Sequence, residues 1–405
     1  MTTVTPDSLA SAPPKILALG PVGWAKKNLF SDWFNSLLTV VLVTVLGGGV
    51  LSLTHWALTT AQWQVVPNNF DLFMTGTYPP ALYPRIWAVL AMICGLGGLS
   101  WGVLGRNLST LFSRNILIGF AVICAFIVVF PPTRPSTFQL LPIVALVAVA
   151  AAAGRQGGRK FPGMGRLISL AWFLSYFVAI WLIGGGLGLT PVSTNDWGGL
   201  LLTLFTAVSG IALCFPLGLL LALGRRSALP VVRWLSTIYI ELVRGVPLVA
   251  LLFMGQVMIP LFLPVGSRPD RILRAIIALA LFSAAYLAEN VRAGLQAVPR
   301  GQNEAAASLG LNQPMTLGFI VLPQALKIAI PAIVGQFISL FQDTTLLAIV
   351  GLAELLGIGR SVLANPTYLG RFAEVYLFLA VIYWVFCYAM SLGSRKIEEK
   401  LNTDH

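Results

Sequence analysis

Charged residues are scarce in this chain. Of its 405 residues only 10% are Asp, Glu, Lys or Arg, whereas 57% are hydrophobic; an average soluble domain carries about 25% charged residues. This deficit excludes an ordinary soluble protein and predicts a membrane protein. A net charge of +12 would indicate a nucleic-acid partner in a soluble chain, but here Lys and Arg lie between apolar runs, where they set orientation. We therefore expect membrane lipid, and no nucleic acid, as a partner.

Residues for metal binding or covalent chemistry are also few. The two histidines are His55, near the end of an apolar run, and His405, the last residue, and the four cysteines lie singly in apolar stretches. We find no phosphate-binding loop, no zinc or carboxylate dyad and no Ser-His pairing. These absences argue against a polytopic membrane enzyme, and no catalytic residue, metal or cofactor is predicted in this chain.

What the sequence has in abundance is apolar runs. A helix needs about 20 apolar residues to cross the hydrocarbon core, and ten stretches meet or approach that length. They are 35–58, 86–105, 115–131, 138–153, 167–188, 198–223, 236–263, 272–291, 326–350 and 373–393. The sequence therefore predicts an all-α polytopic membrane protein with about ten transmembrane helices, or eight if two of the first five stretches are not spans.

Positive charges alternate along this series of runs. With the N-terminus inside, eighteen Lys and Arg residues fall in inner segments and seven in outer segments. The positive-inside rule then predicts that both termini and the loop around Glu304 are cytoplasmic. The polar first thirty residues lack the layout of a cleavable secretory signal.

One polar interruption in the second half predicts a short helix at 303–310. Asn303 is expected to cap its first turn, Glu304 suits the positive end of the helix dipole, and Gly310 followed by Pro314 ends it. Three consecutive alanines give this helix a face of small side chains, which suits docking into a groove on another protein because backbones can approach closely there. The alternative is an ordinary amphipathic helix that only connects two spans. The residues predicted to dock are Glu304, Ala305, Ala306, Ala307, Ser308, Leu309, Gly310 and Leu311, and the loop continues to Ile320, Leu322 and Pro323.

The spacing of this loop is specific. Glu-Ala-Ala, three residues, Gly, nine residues and Ile-x-Leu-Pro follow one another, and this resembles the signature of the membrane subunits of bacterial ATP-binding cassette (ABC) importers. The segments 239–248, 285–302 and 336–346 are similar to the branch that handles histidine, arginine, glutamate, glutamine and opines. Within it the chain resembles the larger permease subunits of general L-amino acid systems. Two departures are Gln342, where Lys is frequent, and Ala293, where Gly is usual.

The resemblance implies a type I ABC importer core in residues 191–395, with 303–310 as the coupling helix. Residues 31–190 would be accessory transmembrane helices, and 1–30 and 396–405 cytoplasmic segments. It further implies a multi-pass bacterial inner membrane protein that imports amino acids. The implied partners are a cytoplasmic ABC ATPase dimer that holds ATP and Mg, a second homologous permease subunit, a periplasmic amino acid-binding protein and the amino acid substrate.

Polar side chains inside the predicted spans are candidates for a substrate pathway. A carboxylate at the bilayer centre costs about 2.5–3.5 kcal/mol on insertion scales, so it requires a polar neighbour or a water-filled cavity. Gln336, Ser339 and Asp343 are spaced i, i+3 and i+7, so they lie along one side of a helix. These polar side chains either face the amino acid substrate or join two permease subunits. The predicted pathway residues are Glu289, Gln336, Ser339, Gln342, Asp343 and Thr344.

Two charged pairs at helical spacing accompany these candidates. Glu241 with Arg244 and Glu289 with Arg292 are each three residues apart, so each is expected to pair on one helix face. An interfacial anchor is the alternative role for the first pair. The rival function is an ion-coupled secondary amino acid transporter, whose signs would be inverted repeats and broken helices at the midplane; we find no such repeats in the sequence.

Overall fold

The computed structural model describes residues 20–402 except 109, 130–133, 162 and 265. Residues 1–19 of the predicted N-terminal segment and 403–405 of the predicted tail lie outside the described residues. The chain forms two compact units, residues 1–62 and 63–405. The first holds α1 (Pro21–Asn28) and α2 (Trp33–Thr59). Asp32 caps α2 by accepting from the backbone N–H of Asn35, which satisfies a donor that the first turn would otherwise leave free.

Helices joined by loops, with two isolated β-bridges, make up the described part of the second unit. Its helices are α3 (Val65–Asn68), α4 (Phe70–Thr75), α5 (Tyr83–Leu104), α6 (Arg114–Val129), α7 (Arg134–Lys160), α8 (Met164–Gly184), α9 (Gly199–Arg225), α10 (Pro230–Gly245), α11 (Leu248–Phe253), α12 (Ile259–Phe262), α13 (Arg271–Ala297), α14 (Gly301–Ser308), α15 (Gln313–Met315), α16 (Leu322–Asp343), α17 (Leu355–Leu363) and α18 (Phe372–Asn402). A π-helical stretch, Thr316–Val321, leads into α16, and a 3₁₀ stretch, Thr344–Val350, follows it.

All ten predicted spans overlap helices among the described residues, which confirms the all-α polytopic fold. Among the described residues eight helices are long and apolar enough to cross a membrane, or nine if one bent pair counts as a span. The bent pair replaces the predicted continuous span 236–263: α10 and Leu248–Phe262 meet at 104°. The cause lies in Gly245-Val246-Pro247, because Val246 precedes a proline and adopts an extended conformation (φ −107°, ψ 136°). The predicted span 115–131 forms the shorter α6.

Glycines allow α5 and α7 to pack closely. A Cβ at Gly102 would lie 2.1 Å from the Ala151 carbonyl oxygen, and one at Gly154 would lie 2.4 Å from the Leu99 carbonyl oxygen. Small residues at such crossings let backbones approach in a membrane, where apolar side chains gain little from leaving lipid. The predicted span 138–153 is shorter than α7, which continues past Gly154 to Lys160.

Helix α13 lies at the centre of the second half and packs against α9, α10 and α16. One buried cluster joins α9, α13 and α16 and contains the fully buried Leu287 and Leu340. Gly294 of α13 lies against Ala325 of α16, where an added Cβ would be 2.4 Å from the carbonyl oxygen. This close contact fixes the two helices on either side of the α14 segment.

Candidate functional site

The predicted helix 303–310 corresponds to α14, which spans Gly301–Ser308 and so begins and ends two residues earlier than predicted; Gly310 lies in the turn that follows it. Gly310 has φ +77°, a left-handed conformation that glycine adopts without the usual side-chain penalty, and its N–H donates to the Ala307 carbonyl. The predicted cap is wrong: the N-cap position is Arg300 and no side chain caps the helix. Asn303 lies inside the first turn because the helix begins two residues earlier than the sequence indicated.

Most of α14 is exposed. Ala306 is buried, whereas Glu304, Ala305, Ala307 and Ser308 are exposed. Leu309, directly after the helix, is 79% exposed, although it is a large apolar residue. The helix therefore presents a small-residue face, with one leucine beside it, that no described residue covers.

Both flanks of α14 are held in the protein. Val298 before it and Val321 after it are buried in the same cluster, and the Gln324 side chain donates to that of Gln302 at 3.1 Å. Leu311 closes the turn by donating its N–H to the Ala306 carbonyl. An exposed helix with both ends anchored can transmit a displacement into α13 and α16.

The remaining signature residues lie where α16 begins. Ile320 belongs to the π-helical stretch, and Leu322 and Pro323 form the first turn of α16. Proline suits this position because the first turn of a helix has no intrahelical acceptor for its N–H.

The predicted stripe lies at the far end of α16. Asp343 is partly buried, and its carboxylate makes no hydrogen bond or ion pair with another residue in the part of the chain that the structure describes. The Ser339 hydroxyl donates to the carbonyl four residues earlier, and the Thr344 hydroxyl to the carbonyl three residues earlier. Gln342 is exposed and Gln336 half-buried.

Glu289 lies in a cluster of charges where α9, α10 and α13 meet. Its Oε1 accepts from Arg225 Nη1 at 2.7 Å, and its Oε2 accepts from Arg292 Nη2 at 2.7 Å. Arg244 Nη1 is 3.7 Å from Oε2. The predicted pair of Glu289 and Arg292 is confirmed.

The predicted pair of Glu241 and Arg244 does not form. Glu241 instead accepts from Arg225 Nη2 at 2.8 Å, while Arg244 turns to Glu289 and lies over the Tyr286 ring at 5.5 Å. Arg225 thus bridges Glu241 and Glu289. This contact could not be predicted from the sequence, because Arg225 lies 64 residues from Glu289 and no helical spacing connects them.

A second buried carboxyl, missed in the sequence, lies just before α17. Glu354 is fully buried; it accepts from the N–H groups of Leu356 and Gly357 as an N-cap and from the Tyr383 hydroxyl. Burial raises the pKa of Glu354 to about 7, against the hydrogen bonds, which lower it. Close by, the Thr203 hydroxyl accepts the N–H of Leu355, which ties α17 to α9.

Comparison with known proteins matches residues 214–403 to the family model described as "Binding-protein-dependent transport system inner membrane component". Similar full-length relatives include the inner membrane amino-acid ABC transporter permease protein YhdY of Escherichia coli (strain K12), 39% identical over 94% of this chain and 93% of that protein. Another is the glutamate/glutamine/aspartate/asparagine transport system permease protein BztC of Rhodobacter capsulatus, 35% identical over 99% and 98%.

Shorter relatives match the second half. The probable glutamine ABC transporter permease protein GlnP of Bacillus subtilis is 36% identical over 50% of this chain and 91% of that protein. A solved structure, described as "Crystal structure of an amino acid ABC transporter with histidines", is 29% identical, covers 57% of this chain and 97% of that chain, and has a TM-score of 0.46.

Proposed function

Because the chain belongs to the family of inner membrane components of binding-protein-dependent transport systems, we propose that α14 is the helix through which ATP hydrolysis in a partner drives amino acid import. The chain is a multi-pass permease subunit of an ATP-driven amino acid importer, and not an ion-coupled secondary transporter. A relative named for glutamate, glutamine, aspartate and asparagine supports polar amino acids as its substrates.

The observation that carries this proposal is the exposed helix with anchored flanks. A groove in a cytoplasmic ABC ATPase dimer would receive Ala305, Ser308 and Leu309, and the buried Val298 and Val321 would pass the movement to α13 and α16. We propose that α14 and both termini lie in the cytoplasm. ATP and Mg then belong to the ATPase, and this chain supplies no cofactor.

Two further partners complete the proposed importer. A periplasmic amino acid-binding protein would deliver the substrate, as the family description implies. A second permease subunit is supported by GlnP and GlnM of Bacillus subtilis, two glutamine permease proteins to which this chain is similar. We propose a heterodimer of permeases.

The substrate pathway is proposed to run along α16. The carboxyl of Asp343, which has no described partner, would face the ammonium group of the amino acid, with Gln336, Ser339, Gln342 and Thr344 as further polar groups along the way. Glu289 was predicted for the same pathway, and its carboxylate oxygens already accept from arginines.

The test compares Gly310→Ala with Gly318→Ala. An added Cβ meets nothing within 4 Å at either glycine, but only Gly310 has a positive φ, and a left-handed conformation costs an alanine about 1–2 kcal/mol. We expect Gly310→Ala to reach the membrane in normal amounts, yet to import less labelled glutamine per ATP hydrolysed. Gly318→Ala should match the wild type.

Glu304→Lys is the companion variant, since it reverses the charge on the exposed face of α14. It should weaken recovery of the ATPase with the purified chain. Normal import and normal ATPase recovery in both Gly310→Ala and Glu304→Lys would show that α14 is not the coupling helix.

A further inference from the structure

Glu289 joins three helices through one carboxylate. Its side chain is 16% exposed, and it accepts from Arg225 on α9 and from Arg292 on its own helix, α13, with Arg244 of α10 at 3.7 Å. Charge-assisted hydrogen bonds of 2.7 Å are among the stronger polar contacts in proteins. The carboxylate therefore fixes the end of α9 and the end of α10 at one level of α13.

This level is close to α14 along the chain. Glu289 lies in the last third of α13, which ends at Ala297, and α14 begins at Gly301. The end of α9 is held a second time there, because Arg226 Nη1 donates to the Leu295 carbonyl at 3.3 Å. A movement of α14 that reaches α13 therefore reaches the end of α9 through side chains and not only through apolar packing.

Helix α10 is the third element of the cluster, and it precedes the 104° bend. Its buried residues are Ser236, Ile240 and Val243, and polar contacts add to this packing: Arg225 of α9 donates to Glu241, and the Tyr239 hydroxyl donates to the Leu281 carbonyl of α13 at 2.8 Å. Val231 and Trp234 on its other side are exposed. Directional polar contacts, together with apolar packing, thus hold α10 against α9 and α13.

We propose that Glu289 is a positioning residue for transport, which makes α9, α10 and α13 move together when α14 is displaced. This inference rests on the proposed function of α14. It gives Glu289 a role other than the pathway role predicted from the sequence.

The negative charge, and not only the hydrogen bonds, is required for this role. Three guanidinium groups surround Glu289, and Glu241, with 56% of its side chain exposed, is the other acid of the cluster. A glutamine at 289 would keep the side-chain size but leave like charges facing one another, which repel more strongly where water is partly excluded. The arginines would separate, and α9 and α10 would lose the contact with α13 that they share.

The experiment uses the complete transporter purified with its own ATPase and binding protein and reconstituted in vesicles. Import of labelled glutamine and release of phosphate are measured on the same vesicles for Glu289→Gln, Glu289→Asp, Arg225→Gln and Arg233→Gln. Arg233 is the matched control, because this exposed arginine of α10 makes no side-chain bond to any residue that the structure describes.

We expect Glu289→Gln and Arg225→Gln to reduce import per ATP hydrolysed at least about fivefold, the lower end of typical coupling between sites. Glu289→Asp keeps the negative charge and should retain most of the wild-type import per ATP. Arg233→Gln should match the wild type. A purely structural role would lower the amount of assembled transporter but leave import per ATP unchanged.

The inference is overturned if import per ATP is normal in Arg225→Gln, or in Glu289→Gln where that variant assembles. If Glu289→Gln does not assemble, Arg225→Gln alone decides, because it leaves the contact between Glu289 and Arg292 in place. Failure of the wild-type complex to import with ATP would instead contradict the proposed function.

Discussion

Replacing Gly294 by alanine tests the packing that frames α14. The added Cβ would lie 2.4 Å from the Ala325 carbonyl oxygen and 2.9 Å from the Ala329 Cβ, whereas ordinary contacts begin at 3.4 Å. Helices α13 and α16 must therefore separate locally by about 1 Å. Overpacking costs about 1–3 kcal/mol, and alanine returns about 0.5–1 kcal/mol through its helix preference, so we expect a net loss of up to about 2.5 kcal/mol.

The assay is unfolding in mixed micelles with a rising fraction of denaturing detergent, followed by circular dichroism. Gly335→Ala on α16 is the matched control, because an added Cβ meets nothing within 4 Å there and φ is not positive. The control should be as stable as the wild type or more stable. Equal stability of Gly294→Ala and Gly335→Ala would refute the close contact of α13 with α16.

Two other predictions concern the accessory helices and the buried acid. Gly102→Ala should destabilise the protein by about 1–3 kcal/mol, because the added Cβ would lie 2.1 Å from a carbonyl oxygen where α5 crosses α7. Gly97→Ala on the same helix is the control and should be neutral, because its Cβ meets nothing within 4 Å. Detergent unfolding compares the two variants, and equal losses of stability would contradict the crossing. Burial raises the pKa of Glu354 to about 7 from its usual 4.5, so the folded protein holds this proton more tightly than the unfolded chain. The stabilisation is then complete below about pH 4.5 and is lost as the pH rises to about 7. The unfolding temperature of the wild type should therefore fall relative to that of Glu354→Gln between pH 5 and pH 7, and the two pH profiles should run parallel above pH 8. Profiles that are parallel at every pH would show that the pKa of Glu354 is not raised.

The sequence predicted the location of the helices well, because the length of an apolar run is set by bilayer thickness. It also located the turn that ends α14, with Gly310 two residues beyond the helix, since a glycine followed by a proline is a local stop signal. It failed at the bend before α11. The run 236–263 is apolar enough for one span, and the two-residue interruption by Val246 and Pro247 changes direction without changing hydropathy.

Which side of each helix is buried was harder to predict. In a soluble protein large apolar residues mark the core, but here Leu220, Trp234 and Phe319 are at least 64% exposed, as expected for side chains that meet lipid. On α13 the fully buried positions include Ala284, Ala288 and other small residues. Small residues mark helix contacts in this chain as well as large ones do, because small side chains permit close approach of the backbones.

The same reasoning separates the two kinds of acid found within the described part of the second unit. Glu289 is surrounded by guanidinium groups that hold its charge, so it suits a fixed joint between helices. Asp343 is partly buried, and its side chain has no partner among the described residues, which is why we propose it, and not Glu289, as a group that contacts the substrate. Both acids looked alike in the sequence, as carboxylates inside apolar runs. Spacing along α13 predicts Arg292 as a partner of Glu289, but Arg225 and Arg244 come from other helices, so recognising the cluster that joins the helices requires tertiary contacts.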